Sequence, residues 1–327
     1  MKINILDQSP VIESATPAES IAQTIELAKF ADESGFHRYW VSEHHSSNSF
    51  ASASPEILVS AIASVTEKIK AGSAGVLINH YSPLKIAEQF NVMESLFPGR
   101  IDLGIGRAPG GDAGILKALR TPVEDSFKKT DELIEILLNS SKNQFSESPV
   151  AVPCGIEIPE IWILGTSPES AFYAAERGLR YVFGSFISDE YMIKCFETYY
   201  QNFKPSVFLK TPYLNLALFA ICGRTQSEAD RIARCSEYWI TQSFLKKRNI
   251  KFPNSETAEK YNFTFEEKLF LEYRRKSAII ADTDTVCKKI KDLIKKYALH
   301  EITIVTITSD FTERKLSYSL ISENLLN

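Results

Sequence analysis

Short apolar, β-branched runs alternate with helical stretches along almost the whole of this 327-residue chain, and no other feature limits its fold so strongly. The candidate strands are 2–7, 38–42, 69–75, 101–105, 161–164, 181–183, 214–220 and 302–306. Helix starts are legible between them. Thr16-Pro17-Ala18-Glu19 is a capping box with proline at the first helical position, and Gly35 closes that helix. Pro55, Ser82-Pro83, Asp125, Ser167, Asp189 and Thr225 with Glu228 open the following helices, an extra helix precedes the last strand, and 313–325 closes the chain. Runs such as IWIL and ITIVTI are apolar almost throughout, as buried parallel strands require. Eight βα units predict an α/β fold, the (β/α)8 or TIM barrel, as one domain over residues 1–327. An open doubly wound sheet is the alternative, because spacing alone does not prove closure.

Two stretches exceed the barrel minimum. Residues 140–160, before strand five, carry Pro149, Pro153 and Pro159 and read as a loop or hairpin insert. Residues 246–281, after helix seven, carry the runs Lys246-Lys247-Arg248 and Arg274-Arg275-Lys276, which read as a solvated face.

Composition removes several function classes. With 37 Lys+Arg against 41 Asp+Glu the net charge is −4, so there is no basic footprint for nucleic acid. No apolar run reaches the ~18 residues of a membrane span, and the opening MKINILDQSP meets Asp7 too early for a signal peptide. The five cysteines (Cys154, Cys195, Cys222, Cys235, Cys287) are odd in number and hold no C-x-x-C pair. They read as buried thiols in a reducing compartment, with the cytoplasm as the expected location.

In a barrel, chemistry sits where strands end and βα loops begin. Strand two ends in Glu43-His44-His45. Neighbours on an extended strand point to opposite faces, which argues against one metal held by both imidazoles. They read equally as a reacting site or as locally bonded side chains. Strand three ends in Gly72-Ser73-Ala74-Gly75, small residues that admit either a flat ligand or tight packing. Strand four delivers Arg107 behind a G-x-G that lacks the rest of the dinucleotide fingerprint. Strand five leads to Gly165, Thr166, Ser167, Pro168 and Ser170: an N-cap, free N–H groups and hydroxyls that suit an anion, or plain capping. An arginine beside that helix start makes the anion reading stronger than either part alone.

Together these segments resemble the bacterial luciferase-like family of flavin-dependent monooxygenases. The matching stretches are Trp40–His45 (WVSEHH), Gly72–Val76 (GSAGV), Ala87–Phe90 (AEQF), Phe97–Gly111 (FPGRIDLGIGRAPGG), Ile163–Ala171 (ILGTSPESA) and Ala174–Leu179 (AAERGL). The resemblance spans Leu6 to Leu320. It implies a (β/α)8 barrel, a homodimer, and FMN across the C-terminal strand ends. Arg107, Thr166, Ser167 and Ser170 would hold the FMN phosphate. Ala74 and Gly75 match the family's non-proline cis peptide beneath the isoalloxazine, Phe183 and Gly184 would flank the ring, and His44 matches the active-site histidine.

The implied chemistry uses two components. An NAD(P)H:flavin reductase supplies reduced FMN, O2 gives a C4a-(hydro)peroxyflavin, and one oxygen atom enters an aldehyde-like or other small organic substrate. His44, with an ordinary value near ~6.5, would move the proton. A deazaflavin (F420)-dependent oxidoreductase and a non-catalytic flavin-binding protein are the alternatives on the same scaffold. Luciferase has a reactive cysteine where this chain has Gly106 and a glutamate where it has Thr166, and the ending FGSFIS is shorter than the common pattern. Light emission is therefore not expected. Pocket residues fall on 46–54, 79–81 and 246–281, and no motif there names a substrate; His80 and Tyr81 either line the pocket or form a bonded pair.

Overall fold

The computed structural model describes residues 1–121, 125–142 and 149–326. Its strands are β1 (Ile3–Asp7), β2 (Arg38–Val41), β3 (Lys70–Ser73), β4 (Val76–Leu77), β5 (Ile101–Gly106), β6 (Glu160–Gly165), β7 (Arg180–Gly184), β8 (Leu214–Gly223), β9 (Ile279–Asp282) and β10 (Glu301–Val305). Parallel pairing runs β1-β2-β3-β5-β6-β7-β8-β10, and β10 returns to β1 with Ile3 opposite Ile302. The ring is closed, so this is the (β/α)8 barrel and not an open sheet. β4 resumes the course of β3 beyond its end, and β9 lies outside the ring against the last residues of β8.

Strand alternation divides the side chains into two sets. Ile3, Ile5, Tyr39, Leu103, Ile161, Tyr181, Leu216 and Ile302 face the helices and form the main core between sheet and helix layer. The inward set is polar at the strand starts. Arg38 donates from Nε to Glu301 at 2.8 Å, from Nη1 to Asp102 at 2.7 Å and from Nη2 to Glu160 at 2.9 Å. Lys70 and Arg180 also reach Glu160, at 2.7 and 3.2 Å. Trp162 lies 4.8 Å from the Arg38 guanidinium and 5.1 Å from Trp40, whose Nε1 donates to Asp102 at 2.8 Å. Trp162 thus lies against the Arg38 cation and meets Trp40 edge-on, while multiple hydrogen bonds offset the cost of burying the charges.

Small residues serve this packing. A Cβ on Gly104 would stand 2.0 Å from the Ser73 carbonyl oxygen, and one on Gly75 would stand 2.7 Å from that of Gly104. On Gly184 it would meet nothing nearer than 3.5 Å. We expect Gly104→Ala to cost about 3 kcal/mol in urea denaturation, through overpacking against backbone that cannot yield, and Gly184→Ala less than about 1 kcal/mol. Equal losses would contradict this account.

Several boundaries differ from the sequence reading. The strand expected over 69–75 breaks into β3 and β4 around a cis Ala74–Gly75 peptide. The helix expected from Asp189 begins at Met192. Of the first insert, Ser140 and Ser141 end the helix Ser126–Ser141, no strand forms in 149–159, Glu160 starts β6, and 143–148 lie outside the described residues. The second insert is a folded unit, with helices Ser255–Lys260 and Phe265–Arg275 leading into β9. Of its charge runs Lys246, Lys247, Arg248, Arg275 and Lys276 are exposed as expected, and Arg274 is half-buried. Cys195, Cys222, Cys235 and Cys287 are buried thiols as expected, whereas Cys154 is only partly buried. Burial raises all four buried thiols, Cys222 to about 11, which disfavours the reactive thiolate. Among the described residues no helix is long and apolar enough to cross a membrane.

Candidate active site

A cavity of about 1030 Å³ opens at the C-terminal ends of the strands, opposite the Arg38 layer. Its floor is the inward-facing set of the strand ends: Leu164, Val182, Ala217, Phe219 and Val305. Its roof comes from Trp239 at the end of the helix Gln226–Ile240, Phe244 of the π-helical turn Thr241–Leu245 that follows, and Phe252, Leu271 and Arg274 of the second insert. At the roof margin Asn48 donates its backbone N–H to Asn249 Oδ1 at 2.8 Å and its Nδ2 to the Asn249 carbonyl oxygen at 3.1 Å. Ligand sites with mostly apolar walls and a few convergent polar groups have this character.

At one end Arg107 leaves β5 and extends an Nη2 to within 3.4 Å of Ser167 Oγ, while its guanidinium lies 4.0 Å from the Phe127 ring. Among the described residues Arg107 has no carboxylate within ion-pair distance, and burial lowers its pKa. Ser167 caps the Pro168–Glu176 helix, and Thr166 and Gly165 line the same wall. Glu169 and Asp125 act on Arg107 only from beyond contact distance. A half-buried cation with no contacting carboxylate among the described residues, beside hydroxyls and a capped helix start, suits an anion. Ser170 is different. Its hydroxyl donates to Ser167 O at 2.7 Å and meets Tyr181 Oη at 3.1 Å, so it fastens the helix start from inside and does not line the cavity.

Ala74 and Gly75, with their cis peptide, form a wall near the middle. His44 borders the cavity with its ring 4.6 Å from Phe50 and Nδ1 3.0 Å from Ser42 Oγ. Burial, and then the charge of His45, push His44 down to about 4, so it is neutral at neutral pH. The value near 6.5 expected from sequence is corrected by this desolvation. His45 also borders the cavity, but its Nε2 is committed 2.8 Å from Glu43, which also accepts from Leu77 N–H at 2.9 Å and Tyr81 Oη at 2.7 Å. His80 bonds Thr121 and the Pro109 carbonyl. Neither reading of His80 and Tyr81 holds as expected: they do not line the cavity, and each half-buried side chain bonds to other residues, not to the other.

The ring-flanking expectation divides. Gly184 lines the cavity, together with Val182, but Phe183 does not: its ring packs 5.8 Å from Phe196 in the layer between sheet and helix. Phe183 shares its face with Tyr181, so strand periodicity already contained this answer. The sequence reading also missed Arg274, whose Nη2 and Nη1 donate to the carbonyls of Phe186 at 2.7 Å and Ile187 at 3.0 Å. The cue was the capping box Thr264-x-x-Glu267, which starts the helix that carries Arg274 inward.

Known proteins resemble this chain in sequence and in fold. A family model described as luciferase-like monooxygenase matches residues 1–300. The N-acetyl-S-alkylcysteine monooxygenase of Bacillus subtilis is 32% identical over 100% of this chain and 98% of its own. The crystal structure of apo-MsnO8 superposes with a TM-score of 0.86 at 31% identity, over 99% of this chain and 97% of that one. The FMN-bound oxygenating constituent of 3,6-diketocamphane monooxygenase from Pseudomonas putida, at 19% identity over 99% of this chain and 97% of its own, shares the fold with a TM-score of 0.75.

Proposed function

The chain belongs to the luciferase-like monooxygenase family, and from that premise we propose that it is an FMN-dependent monooxygenase that inserts one atom of O2 into a small organic substrate. The observation that carries this is Arg107, a desolvated cation with no carboxylate partner among the described residues, next to the capped start of the Ser167 helix. A phosphate fits that donor set, and the apolar cavity behind it accommodates a flat ring system with a substrate beside it. FMN, reduced by a separate NAD(P)H:flavin reductase, would supply the reaction with oxygen.

The protein's part is binding, orientation, water exclusion and proton movement. Arg107, Thr166 and Ser167 hold the phosphate; Ala74, Gly75, Val182 and Gly184 bound the ring; Trp239, Phe244 and Phe252 cover the site. His44 has Nδ1 engaged by Ser42, which leaves Nε2 as the atom that moves a proton at the cavity. Exposed Ile57, Val65, Val92 and Leu96 on the helices Pro55–Val65 and Pro83–Leu96 support a homodimer, and the protein is expected to work in the cytoplasm.

The test combines FMN binding, followed by flavin fluorescence, with O2 consumption in the presence of a reductase, NADH and a panel of aldehydes; light scattering on the same preparation reads the dimer. F420 titrated in parallel separates the deazaflavin alternative. His44→Ala is expected to reduce turnover about 100-fold with FMN binding retained. Because the folded value of His44 lies below the ordinary one, it stays neutral above about 4. Its contribution to stability is present above ~6.5 and is lost as pH falls through the folded value. The native rate should therefore show no His44-dependent step between pH 6 and 8. Failure to bind FMN, or an inflection near 6.5 that vanishes in His44→Ala, would refute the respective assignments.

A further inference from the structure

The cavity holds a second set of cations, carried on its roof and separate from Arg107. Lys247, Arg248, Arg274 and Arg275 all line it, as do the carboxylates Glu43, Asp112 and Glu237. The carboxylates are already committed. Glu43 accepts from Leu77 N–H and Tyr81, Asp112 caps the Ala113–Ala118 helix, and Glu237 pairs with Arg275 at 2.5 Å. Arg275 is neutralised further by Asp230 at 2.7 Å, and the neighbouring Lys246 by Glu267 at 2.6 Å.

Lys247, Arg248 and Arg274 differ: among the described residues none has a carboxylate within ion-pair distance. Lys247 and Arg248 are exposed at the margin, and Arg248 is steadied by Gln242 Oε1 at 2.9 Å. Arg274 lies deeper. Carbonyl oxygens of Phe186 and Ile187 fix its guanidinium without cancelling its charge, and its Nε is buried without a hydrogen-bond partner. Asp189 acts on it only from beyond contact distance. Desolvating a guanidinium with neutral acceptors alone is unfavourable, and a ligand anion would offset that cost. Around these cations the wall is apolar, through Ile187, Trp239, Phe244 and Leu271.

We propose that the substrate is an organic acid, its apolar body against Trp239, Phe244 and Leu271 and its carboxylate held by Arg274, with Lys247 and Arg248 at the margin. The proposal rests on the reading above, in which Arg107 and the Ser167 helix take the flavin phosphate. The probes are octanoate and octanamide, matched in shape and different in charge, titrated calorimetrically into the protein with and without saturating FMN.

Octanoate is expected to bind about tenfold more tightly than octanamide. Arg274→Gln should bring that ratio close to one while the preference for FMN over riboflavin is retained. The exposed pair Lys247→Gln/Arg248→Gln, which disturbs no packing, should reduce the ratio about threefold, and it carries the test should Arg274→Gln fail to fold. Equal binding of acid and amide, or a ratio indifferent to these substitutions, overturns the proposal. So does loss of the FMN preference in Arg274→Gln, which would place the phosphate at the roof. An octanoate preference that depends on Arg274 in a protein that does not bind FMN would uphold the acid site and refute the flavin reading alone.

Discussion

Arg107→Ala is expected to bind FMN about 100-fold more weakly than the native protein, a loss of about 2.7 kcal/mol. Arg107 makes no ion pair with the described residues, and its contacts are a 3.4 Å approach to Ser167 and the face of Phe127. Removing it strands no carboxylate, so folding should be nearly unaffected. The effect falls on the phosphate, which loses a charge-assisted contact worth ~1.5–3 kcal/mol and a favourable local potential. Riboflavin, which has no phosphate, provides the internal control. Native protein should prefer FMN strongly, Arg107→Ala should scarcely distinguish the two, and riboflavin affinity should be equal in both. A variant that weakens FMN and riboflavin alike would show that Arg107 shapes the cavity and does not bind the anion.

Arg38→Met should have the opposite character: a large loss of stability with the site unaltered. The substitution keeps much of the side-chain volume but leaves Asp102 and Glu301, both fully buried, without their cation. Breaking a buried ion pair from one side costs ~3–5 kcal/mol. The deficit should depend on pH. In the native protein burial opposes ionisation of Glu160, but Arg38, Arg180 and Lys70 prevail and hold it at about 2; Glu301 is lowered too. Their stabilisation is complete above the ordinary carboxylate values near ~4.3 and is lost as pH falls towards the folded ones. Without Arg38 the buried carboxylates favour the protonated form, whose stabilisation is present at low pH and lost as pH rises. The difference between variant and native protein in urea denaturation should therefore be greatest near pH 7 and shrink by pH 4. A deficit independent of pH would assign the cost to packing.

Legibility in the sequence followed the range of the interaction that decides each feature. Strands and helix starts answer to local rules, so Thr16, Ser167 and Thr225 marked their helices as N-caps. Arg107 and Ser167 were expected together because adjacent strands of a barrel deliver adjacent loops, and they meet. His44 was placed rightly at a strand end, but its pKa was not legible, since desolvation depends on what covers it, and that includes Phe50 and the roof. Ser170 and Phe183 were misdirected by one side-chain orientation each, the second against a periodicity already visible in YVFG. Arg274 was hidden by its neighbours: Arg274 and Arg275 both reach the cavity, and only the tertiary partners Glu237 and Asp230, distant in sequence, tell that Arg275 is neutralised and Arg274 is not.

The ionic layer around Arg38 and the cavity occupy opposite ends of one barrel and share no residue. Heritable change in ligand preference can thus accumulate on the roof without eroding the reserve that keeps the chain folded. A combinatorial library over Trp239, Phe244, Leu271 and Arg274 should return mostly folded members with diverse selectivity, whereas the same diversity at Arg38, Asp102 and Glu301 should return few folded members of any kind.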